Sequence, residues 1–125
     1  VRDELNTAEI LKYCFEHNID ICTPKVVGRT LCFYKIKSYD DLVPAPFGLL
    51  EPTLTVHIPV DKIDMMIVPL SSYDSENHRT GYGKGYYDSI LMDCRNRIGV
   101  AFQEQEVDHI DVESHDITLD EIISA

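Results

Sequence analysis

The stretch MMIVPLSSYDSENHRTGYGKGYYD, residues 65–88, decides how the chain reads. Its first six residues carry no charge, which suits a central strand of a parallel sheet, buried on both faces and ending near Pro69. In an open α/β sheet, ligands bind where strands end and the following loops meet helix N-termini. Gly81, Gly83 and Gly85 then alternate, so the backbone can approach a ligand without Cβ atoms in the way.

A helix over residues 86–94 is expected next, its free N–H groups adding partial positive charge beside Arg79 and Lys84. Asp88, within one helical turn of its start, suits a magnesium ion bridging phosphates, because magnesium takes one or two carboxylates plus phosphate oxygens and water. Alone, G-x-G-x-G is a weak signal. It has neither the Walker lysine–serine pair nor the dinucleotide G-x-G-x-x-G, and glycines also make ordinary turns. Arg79 before it and Tyr86, Tyr87 and Asp88 after it turn the balance toward a phosphate site.

Working outward, residues 7–18 place Ile10, Leu11, Cys14 and Phe15 at helical spacing, a buried stripe on a helix capped by Asn6 or Thr7. Residues 19–27, with Pro24 inside, and 30–36 read as strands joined by a turn at Gly28 and Arg29. A short capped turn follows at residues 38–42. Pro44, Pro46, Gly48 and Pro52 then disfavour regular structure over residues 43–55, and Phe47, Leu49 and Leu50 suggest an ordered loop packed on something. Residues 98–102 form a second apolar strand, and 117–123 a last strand or helix. Helix and strand alternate, so the class is α/β.

With 125 residues the chain is expected to form one domain. Hydrophobic residues at 44% and charged residues at 26% fit a globular protein. The net charge of −11 argues against a nucleic-acid partner, and equally against an acidic membrane surface. A polyanion such as ATP would need the few basic residues concentrated near it, together with a metal ion. Cys14, Cys22, Cys32 and Cys94 have no metal or redox spacing and read as reduced thiols. The five histidines, His17, His57, His78, His109 and His115, show no metal-ligand spacing either and read as surface or structural. No apolar run approaches the roughly 20 residues of a membrane span, so a soluble, cytoplasmic protein is expected.

Val68, Pro69, Tyr73, Asp74, Arg79, Gly81, Tyr82, Gly83, Lys84, Gly85, Tyr86, Tyr87 and Asp88 resemble the signature of the 5-formyltetrahydrofolate cyclo-ligase family. The resemblance extends through Glu4 and Thr7, residues 35–42, 47–52 and 99–105, and His115 with Asp116. It implies a three-layer α/β fold of the NagB/RpiA-like kind, with a mostly parallel sheet flanked by helices. It also implies ATP-dependent closure of 5-formyltetrahydrofolate to 5,10-methenyltetrahydrofolate, with ATP as co-substrate and magnesium as cofactor.

By the same resemblance, Arg79, Thr80, Gly81, Tyr82, Gly83, Lys84, Gly85, Tyr86 and Tyr87 are the ATP site, with Lys84, Arg79 and Tyr86 catalytic. Glu4, Phe47, Tyr82, Gly83, Lys84, Gly85 and Tyr86 fall to the folate substrate, and Asp88 and Asp116 to the metal. Asn77 stands where the family usually has glycine, and Thr80 where it usually has an aliphatic residue. The family's N-terminal helical segment, with a lysine and an arginine that reach ATP, and its first strand have no counterpart here. An N-terminally incomplete single domain over residues 1–125, monomeric, is therefore expected. A non-catalytic nucleotide- or folate-binding homologue is the alternative.

Overall fold

The structure is a computed structural model that describes residues 8–46, 49–53, 56–81, 86–112 and 117–125. The described residues up to Lys62 form one compact unit and those from Ile63 onward another.

In the first unit, α1 (Ala8–Glu16) half-buries Leu11, Cys14 and Phe15, while Ile10, expected in the same buried stripe, remains 36% exposed. The helix ends at Asn18, whose φ of 56° is left-handed, with Ile19 N donating to Cys14 O at 2.9 Å. That six-to-one bond satisfies an end carbonyl, and asparagine is among the few residues that adopt the conformation at low cost. The expected caps Asn6 and Thr7 lie outside the described residues.

Strands β1 (Ile21–Val27) and β2 (Thr30–Ile36) pair antiparallel from Val27↔Thr30 to Ile21↔Ile36 across the predicted two-residue turn. Gly28 sits at φ +63°, where a side chain would be strained. Pro24 is tolerated because β1 is the sheet's edge in the order β1-β2-β5, β5 being Val56–Ile58. Central β2 buries Leu31, Phe33 and Ile36.

The proline-rich segment differs from the expected irregular loop. β3 (Leu42–Ala45) and β4 (Leu49–Pro52) form an antiparallel pair with Pro44 opposite Leu50. Prolines fit there because a two-stranded pair consists only of edges, each with one unpaired side. Glu51 extends the order, accepting from Val26 N at 2.9 Å and from Lys25 Nζ at 3.4 Å.

The second unit holds the parallel sheet, order β10-β9-β6, from β6 (Met66–Val68), β9 (Arg97–Ala101) and β10 (Glu121–Ser124). A short antiparallel hairpin, β7 (Ser72–Tyr73) with β8 (Arg79–Thr80), follows β6. Val68, Leu70, Leu91 and Ala101 are wholly buried. Each of the valine and leucine side chains removed from water contributes on the order of 2 kcal/mol. Gly99 lets the layers close: a Cβ there would lie 2.7 Å from Leu119 Cδ1 and 3.0 Å from Leu70 Cδ2.

Three expectations are corrected. The sheet is parallel only in the second unit; every strand pairing described in the first is antiparallel, and for β1 and β2 the two-residue connection permits nothing else. β9 rather than β6 is the middle strand among the described residues, and Met65 at the head of the uncharged run is 58% exposed. Residues 86–93 form turns ending in a 3-10 turn at Leu91–Asp93 rather than an α-helix. Tyr, Asp and Ser are modest helix formers, and Ser89 Oγ bonds back to Tyr86 O at 3.0 Å. Among the described residues no helix is long and apolar enough to cross a membrane.

Candidate active site

The site is assembled by the segment that leaves β6. Gln105 Nε2 donates to Leu70 O at 3.1 Å and Ser71 O at 3.3 Å, fixing the exit of that strand. The hairpin then turns at residues 74–78, where Asp74 Oδ1 accepts from the backbone N–H groups of Glu76 and His78, each at 3.0 Å. Asn77 closes the turn at φ 65°, so the asparagine in the place of the family's glycine fits the left-handed conformation the chain needs.

Asp74 Oδ2 accepts from the His78 ring at 2.9 Å and from Ile110 N at 3.0 Å, tying the turn to a segment 36 residues away. Its side chain is 2% exposed. Burial alone pushes the carboxyl up, but bonds from the His78 ring and from the N–H groups of His78, Ile110 and Glu76 bring it down to about 2.

β8 carries Arg79 back against the end of β6. Its Nε donates to Pro69 O at 3.0 Å and its Nη1 to Asp88 Oδ1 at 3.2 Å, and the side chain is 5% exposed. The guanidinium carbon lies 6.0 Å from the Tyr87 ring centroid, within reach of a cation–π attraction. A Cβ on Gly81 would fall 2.6 Å from Arg79 Nη2. Glycine here therefore makes room for the guanidinium. Next to it, the Thr80 hydroxyl meets Ser71 Oγ at 2.8 Å and Ser72 Oγ at 2.6 Å, a polar use for a residue that replaces an aliphatic one.

Arg79, Thr80, Gly81 and Asp88 line one cavity of about 180 Å³, joined by His78, Ile110 and Asp111. Tyr87 supports Arg79 from beside it, whereas Tyr86 is half-buried and does not line the cavity. Tyr82, Gly83, Lys84, Gly85, Glu4, Phe47 and Asp116 lie outside the described residues. Because residues 86–93 are turns, the positive charge described at this cavity comes from the Arg79 side chain and not from an α-helix dipole.

Sequence reasoning missed the Asp74–His78 pair and the Ile110–Asp111 wall. An aspartate two residues before a glutamate and three before an asparagine is a turn signal, and would have placed Asp74 Oδ1. Nothing local announces the bond to Ile110.

The chain matches the model of the 5-formyltetrahydrofolate cyclo-ligase family over residues 1–125. It is 27% identical to the 5-formyltetrahydrofolate cyclo-ligase of Haemophilus influenzae over 96% of this chain and 69% of that one. Against the Escherichia coli K12 protein of the same name, identity is 30% over 75% of this chain and 55% of the other. The solved 5,10-methenyltetrahydrofolate synthetase of Aquifex aeolicus superposes with a TM-score of 0.85 at 26% identity, covering 99% of this chain and 64% of that one. The Mycoplasma pneumoniae enzyme of that name gives 0.76 at 25%, covering 98% and 67%. The chain thus spans roughly half to two thirds of the length of these relatives. Nearly the full length of the chain follows the fold of proteins bearing those names, and it belongs to the 5-formyltetrahydrofolate cyclo-ligase family.

Proposed function

We propose that this chain closes the ring of 5-formyltetrahydrofolate using ATP, giving 5,10-methenyltetrahydrofolate, ADP and phosphate. The observation that carries the reading is Arg79: a nearly buried guanidinium, anchored on Pro69 O and seated against Gly81, at a cavity of about 180 Å³. That is below the roughly 300 Å³ at which small-molecule pockets begin, a size for a phosphoryl group rather than a nucleoside.

The formyl oxygen is a poor leaving group until it is phosphorylated. In the proposed sequence it attacks the γ-phosphorus and the bond to ADP breaks. The neighbouring folate nitrogen then adds to the formyl carbon and loses its proton, and phosphate departs with the former formyl oxygen. Catalysis of this kind is mostly positioning and charge neutralisation. Arg79 would hold the phosphates, with the backbone of residues 80–87 and with Lys84 nearest the transferred group. Glu4, Phe47 and residues 82–86 would hold the folate.

Asp88 fits a magnesium ion in part. Its Oδ1 is shared with Arg79, the carboxylate is 54% exposed, and Asp111 lines the same cavity. Among the described residues no three such side chains cluster as a self-sufficient metal cage, so the set suits an ion held largely by phosphate oxygens and water, with Asp116 as second carboxylate. When bound, that ion would neutralise charge on the phosphates.

The two units are read as one cyclo-ligase domain, the parallel sheet of the second being its share of a three-layer, NagB/RpiA-like core. Incubating the folded chain with 5-formyltetrahydrofolate and Mg-ATP should raise methenyl absorbance in step with ADP release. A folded chain that leaves both unchanged overturns the proposal.

A further inference from the structure

His78 is a polar member of the cavity wall to which neither the family signature nor the reaction above gives a role. Its ring is gripped from one side. Nδ1 lies 2.9 Å from Asp74 Oδ2, and Asp74 is itself fixed by three backbone donors, the N–H groups of Glu76, His78 and Ile110. The Asp74 carboxyl, held down to about 2, is an anion and only accepts, so Nδ1 must carry a proton. Nε2, on the opposite edge of the ring, has no hydrogen-bond partner among the described residues, and the His78 side chain, 14% exposed, borders the cavity beside Arg79.

We propose that His78 is a further ligand-binding residue of this cavity, its Nε2–H donating to a phosphate oxygen of the nucleotide held at Arg79. An oxyanion only accepts, so the ring that meets it carries both protons, with a carboxylate against one N–H and a phosphate against the other. The charged groups around the ring fit that arrangement. Asp74 faces Nδ1, Arg79 follows in the chain and shares its charge with Asp88, and Asp111 is turned to His109 at 3.1 Å. A buried carboxylate that orients a ring nitrogen so that the other nitrogen can act is a device found in many active sites.

This inference rests on the nucleotide reading of the cavity, and its test separates the two. His78→Asn puts an amide where Nδ1 stands and keeps a donor for Asp74, but removes the far edge of the ring. His78→Gln reaches to where Nε2 stands. ATP affinity of the full chain, measured by calorimetry with magnesium present, should fall about 10-fold in His78→Asn, the size of one charge-assisted bond, and recover in part in His78→Gln, whose neutral amide restores the donor without the charge. A purely structural histidine gives the reverse, with Asn adequate and Gln deficient, and that result overturns the proposal, as does an unchanged affinity in His78→Asn. An unsubstituted chain that binds no ATP overturns the nucleotide reading and this inference with it.

Discussion

The turn at residues 74–78 and the segment at residues 86–93 border the same cavity, and each carries an aspartate held in a different way. Asp74 is 2% exposed and accepts four hydrogen bonds. Asp88 is 54% exposed and, among the described residues, has one partner, Arg79. A carboxylate whose acceptor sites are filled from its own chain is part of the frame. One that itself faces solvent and has a single partner can exchange that partner for an ion or a substrate group at lower cost, because solvent screens the charge of its exposed carboxylate.

The largest effect should come from the frame. Asp74→Ala leaves the N–H groups of His78, Glu76 and Ile110 without their acceptor, and is expected to cost about 3 kcal/mol, read as a lowered midpoint in denaturant unfolding. The acid limb carries the same message with a definite sign. The folded carboxyl sits at about 2, below its unfolded value, so its contribution is fully present above the unfolded pKa and fades as pH falls toward 2. Asp74→Asn should flatten that part of the stability profile, and an unaltered profile would place the stabilisation elsewhere.

Arg79→Lys comes next. An ammonium has no planar fork with which to reach Pro69 O and Asp88 together, and ring closure should slow about 100-fold in kcat/KM. Full activity in the lysine variant would mean that charge alone suffices and that the anchoring at Pro69 is incidental. Gly81→Ala should act through the same guanidinium. The new methyl displaces the end of a side chain, so ATP affinity should drop about 10-fold with little loss of stability. Asp88→Asn is expected to move stability by less than about 0.5 kcal/mol while raising the magnesium concentration needed for half-maximal rate. A large stability loss there would erase the contrast between the two aspartates.

Much of this was legible in the sequence. The hairpin of β1 and β2 was read within two residues because its turn and its alternation are local, and Gly28 announces the turn. The gathering of Arg79, Gly81 and Asp88 was also readable, since a short hairpin and the turns after it keep them close. Residues 86–94 were misread because their apolar spacing suits a helix, while Ser89 and its neighbours prefer local side-chain bonds. Residues 43–55 were misread because prolines forbid only the interior of a sheet. Asp74 was read only as a member of the signature, and its role as a tie was not, because its fourth donor, Ile110 N, lies 36 residues along the chain.

Gly99 constrains how this protein can change over time. A methyl group there meets Leu119, which is 3% exposed, and Leu70, which has no exposure at all. Alanine at 99 therefore requires Leu119 to shift or to be replaced by something smaller and Leu70 to give way slightly, and a smaller residue at 119 leaves a void of its own. Neither change is easy first, so the two positions are expected to vary together or stay fixed together, and a lineage that has once made both would find the return equally obstructed.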